Sequence, residues 1–196
     1  MRTIDVAPAP FALALDPSGN RLWVTTWGQT PKPGELKSPS SGTDVRVDRR
    51  GIATGGTVCQ IDLASGTVTA TRVGAQPSGM AIDGDNVYVP LANADQVISI
   101  SRSTGKSKLV WKAWTGSAPT AVALTGNGRL AVTCGGTNLV VQLENGKLVD
   151  ILRSAWYPVA ITARNGAFYV VSAKGVGSRG NELRQGKFDK IAETEK

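Results

Sequence analysis

Apolar and polar residues alternate with a period of two along most of the chain, in paired runs split by short Gly, Asn or Asp turns. Four segments share this pattern: "APFALALDPSGNRLWVTTW" (9–27), "QPSGMAIDGDNVYVPLAN" (76–93), "APTAVALTGNGRLAVTCGG" (118–136) and "YPVAITARNGAFYVVSAKG" (157–175). Each opens on a proline (Pro10, Pro77, Pro119, Pro158), runs through an apolar strand, turns, and returns as a second strand. Strict alternation over a few residues predicts half-buried β-strands, and the turns predict that consecutive strands pair antiparallel.

A second family of segments follows the first. "TVCQIDLASGTVTATRVG" (57–74), "QVISISRSTGKSKLVWKAW" (96–114) and "NLVVQLENGKLVDILRSA" (138–155) each read strand, turn, strand, and "NELRQGKFDKIAE" (181–193) is a shortened copy. Glycine falls in each turn where a tight hairpin needs a positive φ. Pro77 and Pro119 lie 42 residues apart and Pro119 and Pro158 lie 39 apart. Four antiparallel strands in each ~40–45 residues is the pattern of a β-propeller blade. The expected fold is therefore all-β: one domain holding about four four-stranded antiparallel blades. They span about 8–75 (with an insertion at 28–56), 76–116, 117–156 and 157–196. "RTIDVAP" matches the outer strands that lead into the other prolines, so residues 2–6 read as an orphan outer strand whose own blade is missing. A partial ring would leave sheet edges and faces uncovered, and association with another copy or with missing blades is the expected remedy.

Naming the strands of each blade A to D from the inside outward separates the loops into two sets. The A–B and C–D turns are minimal and share one face. The B–C and D–A loops share the other face, which carries everything irregular: the insertion, "KAWTGSAP", "SAWYP" and "KGVGSRGN". Binding residues concentrate on irregular loops held by rigid scaffolds. Trp27, Trp156 and Tyr157 are the aromatic candidates on this face, and Lys174, Arg179 and Asn181 the polar ones. Trp23 alternates into strand B and reads as core. The insertion exceeds the usual ~12–15-residue limit for structureless loops. It reads either as a functional lid or as an excursion that packs over a neighbouring blade.

Composition narrows the chemistry. The 196 residues include 23 glycines, 41% hydrophobic residues and no histidine. Without histidine, no Ser-His-Asp or Cys-His nucleophile system can be built within the chain, nor any zinc site using imidazole. Cys59 and Cys134 show no metal-ligand spacing and read as buried free thiols. No two carboxylates recur at a spacing that suggests an acid/base pair, and Asp83 and Asp85 sit in a tight turn where aspartate bonds its own backbone. Neither a metal site nor a cofactor is expected. The formal charge of +7 is spread singly over the sequence, so it reads as a solvated surface rather than a nucleic-acid interface. No apolar run approaches the ~20 residues that span a bilayer, so no membrane insertion is expected. "MRTIDVAPAP" lacks the apolar core of a signal peptide.

One motif competes with this reading. Gly175, Gly177 and Gly180 have the G-x-G-x-x-G spacing of a dinucleotide-binding turn. That turn requires a following helix on a parallel sheet and an acidic residue at the end of a second strand. "NELRQGKFDKIAE" continues instead as the outer half of a blade. The glycines are expected to let an extended B–C loop turn tightly.

The blades resemble YVTN-type, lactonase-like β-propeller repeats, most closely in "PSGMAIDGDNVYVPLANADQVISI" (77–100). "WVTTWGQTPKPG", "SSGTDVRVDRRGIATGGTVCQIDLASGTV", "SAPTAVAL" and "WYPVAITARNGAFYVVSAKGVGSRGN" are similar, in that order, to one subgroup whose propeller precedes an alkaline-phosphatase-like phosphoesterase domain. The resemblance covers about residues 8–181 and implies a bacterial, exported (periplasmic or secreted) protein with a roughly seven-bladed ring and a phosphoesterase domain as partner. Earlier blades, that domain and an export signal have no counterpart here, so no phosphoesterase residue carries over. The leading expectation is a non-catalytic binding or scaffold module that uses its B–C and D–A loop face. The alternative is a hydrolase or lyase whose site on that face uses carboxylates or Lys174 and Arg179.

Overall fold

The computed structural model describes residues 2–40 and 42–175. The first blade is built from β1 (Pro10–Leu15), β2 (Arg21–Thr26), β5 (Gly56–Asp62) and β6 (Val68–Val73), paired in that order and all antiparallel. Between β2 and β5 the insertion forms a hairpin of its own, β3 (Lys37–Ser40) and β4 (Thr43–Arg46). The second blade is β7 (Ala81–Asp83), β8 (Asn86–Leu91), β9 (Gln96–Ser101) and β10 (Ser107–Lys112). The third is β11 (Pro119–Leu124), β12 (Leu130–Cys134), β13 (Leu139–Glu144) and β14 (Lys147–Arg153). β15 (Pro158–Arg164) and β16 (Ala167–Ser172) pair as the inner half of a fourth blade. The sequence segment expected to form its outer half lies outside the described residues. The architecture is that of a β-propeller, as the repeat of strand pairs predicts.

The core lies between blades rather than within them. Each sheet has two faces, and alternation sends one set of side chains toward each neighbour. Trp23 and Val58 of the first blade meet Val87, Val89, Ile98 and Ile100 of the second. Val97 of the second blade meets Val122, Leu130, Val132, Cys134 and Val141 of the third. Trp23 is 2% exposed, in keeping with its alternation into β2. Both cysteines are buried free thiols in different blades.

On its other face the first blade buries Val24, Cys59 and Ile61 under Ile4, Val6 and Ala7. Residues 2–6, expected as an orphan outer strand, form no strand. Instead they lie across this face as a strap, and Arg2 donates hydrogen bonds to the carbonyls of Ala64 and Ser65. A strand needs a partner edge, whereas an apolar segment beside an uncovered apolar face can bury itself without one.

The inner strands carry the finest repeat. Ala9, Gln76, Ala118 and Tyr157, each directly before a repeat proline, have φ of 56°, 56°, 46° and 55°. In each case the carbonyl of that residue accepts a hydrogen bond from the residue just beyond strand B: Trp27 (2.9 Å), Ala92 (2.9 Å), Gly135 (3.0 Å) and Ala173 (2.9 Å). The pairing then slips by one residue after Pro10, Pro119 and Pro158, a β-bulge that leaves an inner-strand group unpaired in the ladder. Threonines on the adjoining strand complete the ladder there: Thr25 Oγ1 accepts from Ala12 N–H (3.1 Å) and Thr133 Oγ1 from Ala121 N–H (2.9 Å). The bulges also tie blade to blade. Thr25 Oγ1 donates to Ser78 O (2.8 Å), Gly79 N–H to Thr120 O (3.1 Å) and Thr120 Oγ1 to Pro158 O (2.7 Å).

The short-turn face is tied as well: Thr71 Oγ1 of the first blade donates to Gly105 O of the second at 3.4 Å. Asp16, in the first A–B turn and 3% exposed, pairs with Arg102 from the second blade's C–D turn. Arg102 also donates to Gly84 O at 2.5 Å.

Candidate functional site

The irregular face is organised by two side chains that look like ordinary turn residues. Asp95, in the second B–C loop, adopts φ 51° and directs its carboxylate at the following D–A loop. Its Oδ2 accepts from Gly116 N–H and its Oδ1 from Ala118 N–H, both at 2.8 Å, while its carbonyl accepts from Ala113 N–H at 2.9 Å. Asn138 repeats the device one blade on, with φ 59°: Oδ1 accepts from Tyr157 N–H (2.8 Å) and its carbonyl from Ser154 N–H (3.0 Å). Asp and Asn are the residues that tolerate the left-handed region and can still offer a side-chain acceptor. Sequence reasoning missed both; the available signal was their matching place just ahead of strand C.

These pins fix the loops that carry the exposed aromatics. Trp114 is 46% exposed and stands edge-on to Trp111, with ring centroids 5.9 Å apart and planes at 90°. Trp156 and Tyr157 are 39% and 43% exposed on the next loop. The Tyr157 ring lies over Gly135, close enough that a Cβ there would sit 3.3 Å from it, so part of this residue packs against the third blade.

The structure brings Trp156, Tyr157 and Lys174 together: Lys174 N–H donates to Trp156 O at 3.1 Å, beside the Ala173–Tyr157 bond. Trp27 belongs elsewhere. It lies at the end of β2, stacked on Phe11 with centroids 4.4 Å apart, and its indole Nε1 is buried without an acceptor. Arg179 and Asn181 lie outside the described residues, as does most of the glycine motif. Among the described residues no cluster of three His, Cys, Asp or Glu could hold a metal ion, and no helix is long and apolar enough to cross a membrane.

The insertion is tied down as it crosses this face. Val45 is 4% exposed and fills the space above Gly28, where any side chain would collide with it. Arg46 N–H donates to Gln29 O and Val47 N–H to Leu36 O, both at 2.9 Å. Beneath the hairpin a cavity of about 290 Å³ remains, lined from the first blade by Trp27, from the insertion by Ser38, Val47 and Ile52, and from the second blade by Gln76 and Asn93.

Three four-stranded blades, an inner hairpin of a fourth and an aromatic-bearing loop face define a β-propeller sector. Solved structures share this fold. Hydrazine synthase of Kuenenia stuttgartiensis superposes with a TM-score of 0.63 at 20% identity, over 91% of this chain and 46% of that one. Virginiamycin B lyase of Staphylococcus aureus gives 0.56 at 14% identity, over 84% and 63%. The computationally designed Ika4 protein gives 0.61 at 13% identity, over 89% and 92%. The chain thus spans less than two thirds of both natural proteins and most of the designed one. Identities this low establish the fold alone. No protein-family model matches the chain, and no curated protein matches it in sequence.

Proposed function

We propose that this chain is a non-catalytic binding sector of a YVTN-type propeller, and that it contacts a partner domain through its B–C and D–A loop face. The observation that carries the reading is the pinning of the aromatic loops. Trp114 and Trp156 stand exposed on loops held by Asp95 and Asn138, so little loop ordering remains to oppose binding. Exposed aromatic anchors on a rigid frame are what protein interfaces use as hot spots. The resemblance noted above makes an alkaline-phosphatase-like phosphoesterase domain the partner of choice, in an exported bacterial protein.

The uncovered blade faces support association as a second part of the proposal. Phe11, Leu13 and Leu15 of β1 are 53%, 67% and 58% exposed, and Tyr169 and Val171 of β16 are each 60% exposed. Further blades, or another copy of the chain, would bury them.

Calorimetric titration of the chain with an isolated phosphoesterase domain of that subgroup tests the reading. Saturable binding is expected, weakened by at least ~tenfold in Trp156→Ala, the loss of about 1.4 kcal/mol. Absence of binding, or a Trp156→Ala affinity equal to the parent's, overturns it. The hydrolase or lyase alternative is addressed in the same sample: turnover of phosphate esters or lactones by the chain alone would favour it.

A further inference from the structure

We propose that the cavity beneath the β3–β4 hairpin is a binding site for a small uncharged molecule that joins an apolar ring to an amide or hydroxyl group. Its volume, about 290 Å³, lies at the lower end of the range of ligand pockets and suits a single ring with one substituent. Trp27, Val47 and Ile52 supply apolar wall, and Ser38, Gln76 and Asn93 supply neutral hydrogen-bonding side chains. A few convergent polar groups in an apolar concavity is the usual composition of a small-molecule site.

The electrostatics select against charge. Among the described residues that line the cavity none is ionisable. Of the charges on the surrounding insertion, Lys37 pairs with Asp44 at 2.5 Å, Arg46 with Glu35 at 3.4 Å and Arg50 with Asp48 at 2.7 Å, while Lys32 and Arg49 are exposed and lie outside the cavity lining. An ion entering the cavity would lose hydration without gaining a counter-charge. A neutral polar group would exchange water for the side chains of Ser38, Gln76 and Asn93. Trp27 contributes ring surface only, because its Nε1 is buried away from the opening, so hydrogen bonds to a bound molecule fall to Ser38, Gln76 and Asn93. The insertion thereby gains a role: Val45 seated over Gly28 anchors the hairpin at one point, and the space left beside it is the site.

The test uses the ¹⁵N-labelled chain and three probes of equal shape: benzamide, benzoate and benzamidinium. Benzamide is expected to shift the side-chain amide signals of Gln76 and Asn93 and the Trp27 indole signal along saturable curves, with an affinity at least ~tenfold above either charged analogue. Asn93→Ala, an exposed position, is expected to weaken benzamide several-fold and leave signals outside the cavity unchanged. Ile52→Glu, which puts a carboxylate on the wall, is expected to abolish binding. The proposal falls if benzamide moves none of the three signals, if the three probes bind equally, or if Asn93→Ala leaves the affinity unaltered. Shifts confined to the Trp156 loop would also overturn it, while leaving the partner-contact reading in place.

Discussion

Replacing Asp95 isolates what the loop pins contribute. Its carboxylate accepts from Gly116 N–H in an exposed setting and from Ala118 N–H in a partly buried one. A net hydrogen bond to a charged group contributes about 1.5–3 kcal/mol, and the exposed one less because water competes. We therefore expect about 2 kcal/mol from the two bonds together. Asp95→Ala adds a second penalty, because alanine lacks the local compensation aspartate has at φ 51° and the left-handed region costs about 1 kcal/mol. Asp95→Gly removes the bonds without that strain. Asp95→Asn keeps one acceptor, as Asn138 does natively for Tyr157, and is expected to cost about 1 kcal/mol. The expected order of destabilisation is Ala (about 3), Gly (about 2), Asn (about 1 kcal/mol). For a chain of this size, Asp95→Ala should lower Tm by roughly 6–12 °C. Urea unfolding at one protein concentration gives the free energies, and amide exchange at Gly116 and Ala118 shows whether the loss is local. An Asp95→Gly variant as unstable as Asp95→Ala would refute the strain argument. An Asp95→Ala variant within about 0.5 kcal/mol of the parent would refute the pin itself.

Two further predictions follow from ionisable groups. The Ser18 hydroxyl and then Arg102 hold Asp16 below the usual carboxylate range; Asp85 is lowered by hydrogen bonds from Ser101 and Ser103 in the C–D turn of its blade, and Asp62 and Asp48 by hydrogen bonds of their own turns. A carboxyl depressed in the folded state adds stability that is complete above its unfolded value near ~4 and is lost as pH falls through the folded value. Urea midpoints should thus decline below about pH 4, and less steeply in Asp16→Asn; equal slopes would count against the assignment. Burial pushes the Cys134 thiol up to about 12 and raises Cys59 as well. Both should react with a thiol reagent only in denaturant, and labelling of either at a native-state rate typical of an exposed thiol would contradict the packing.

The blades were legible because each level of the sequence agrees: alternation marks which residues meet the neighbouring sheet, and the glycine turns set the hairpins. What decides the loop face is written differently. Before a proline an extended backbone is the expectation, yet Ala9, Gln76, Ala118 and Tyr157 are all left-handed. The reason lies in strand B, where Trp27, Ala92, Gly135 and Ala173 each leave a ladder with an N–H to satisfy, and only the turned carbonyl reaches it. Four independent occurrences make this a rule of the architecture, with the repeat proline as its visible trace. The same limit applies to the candidate site. Trp156 and Tyr157 could be picked out as aromatic residues in loops, whereas Asp95 and Asn138 act through backbone N–H groups some twenty positions away. The cavity joins Ser38 and Ile52 to Gln76 and Asn93, residues that become neighbours only once two blades are stacked and the insertion is folded across them. Side-chain patterning reports which faces are buried. The geometry of the loop face is set by hydrogen bonds from main-chain groups, which are the same at every position and so leave no pattern to read.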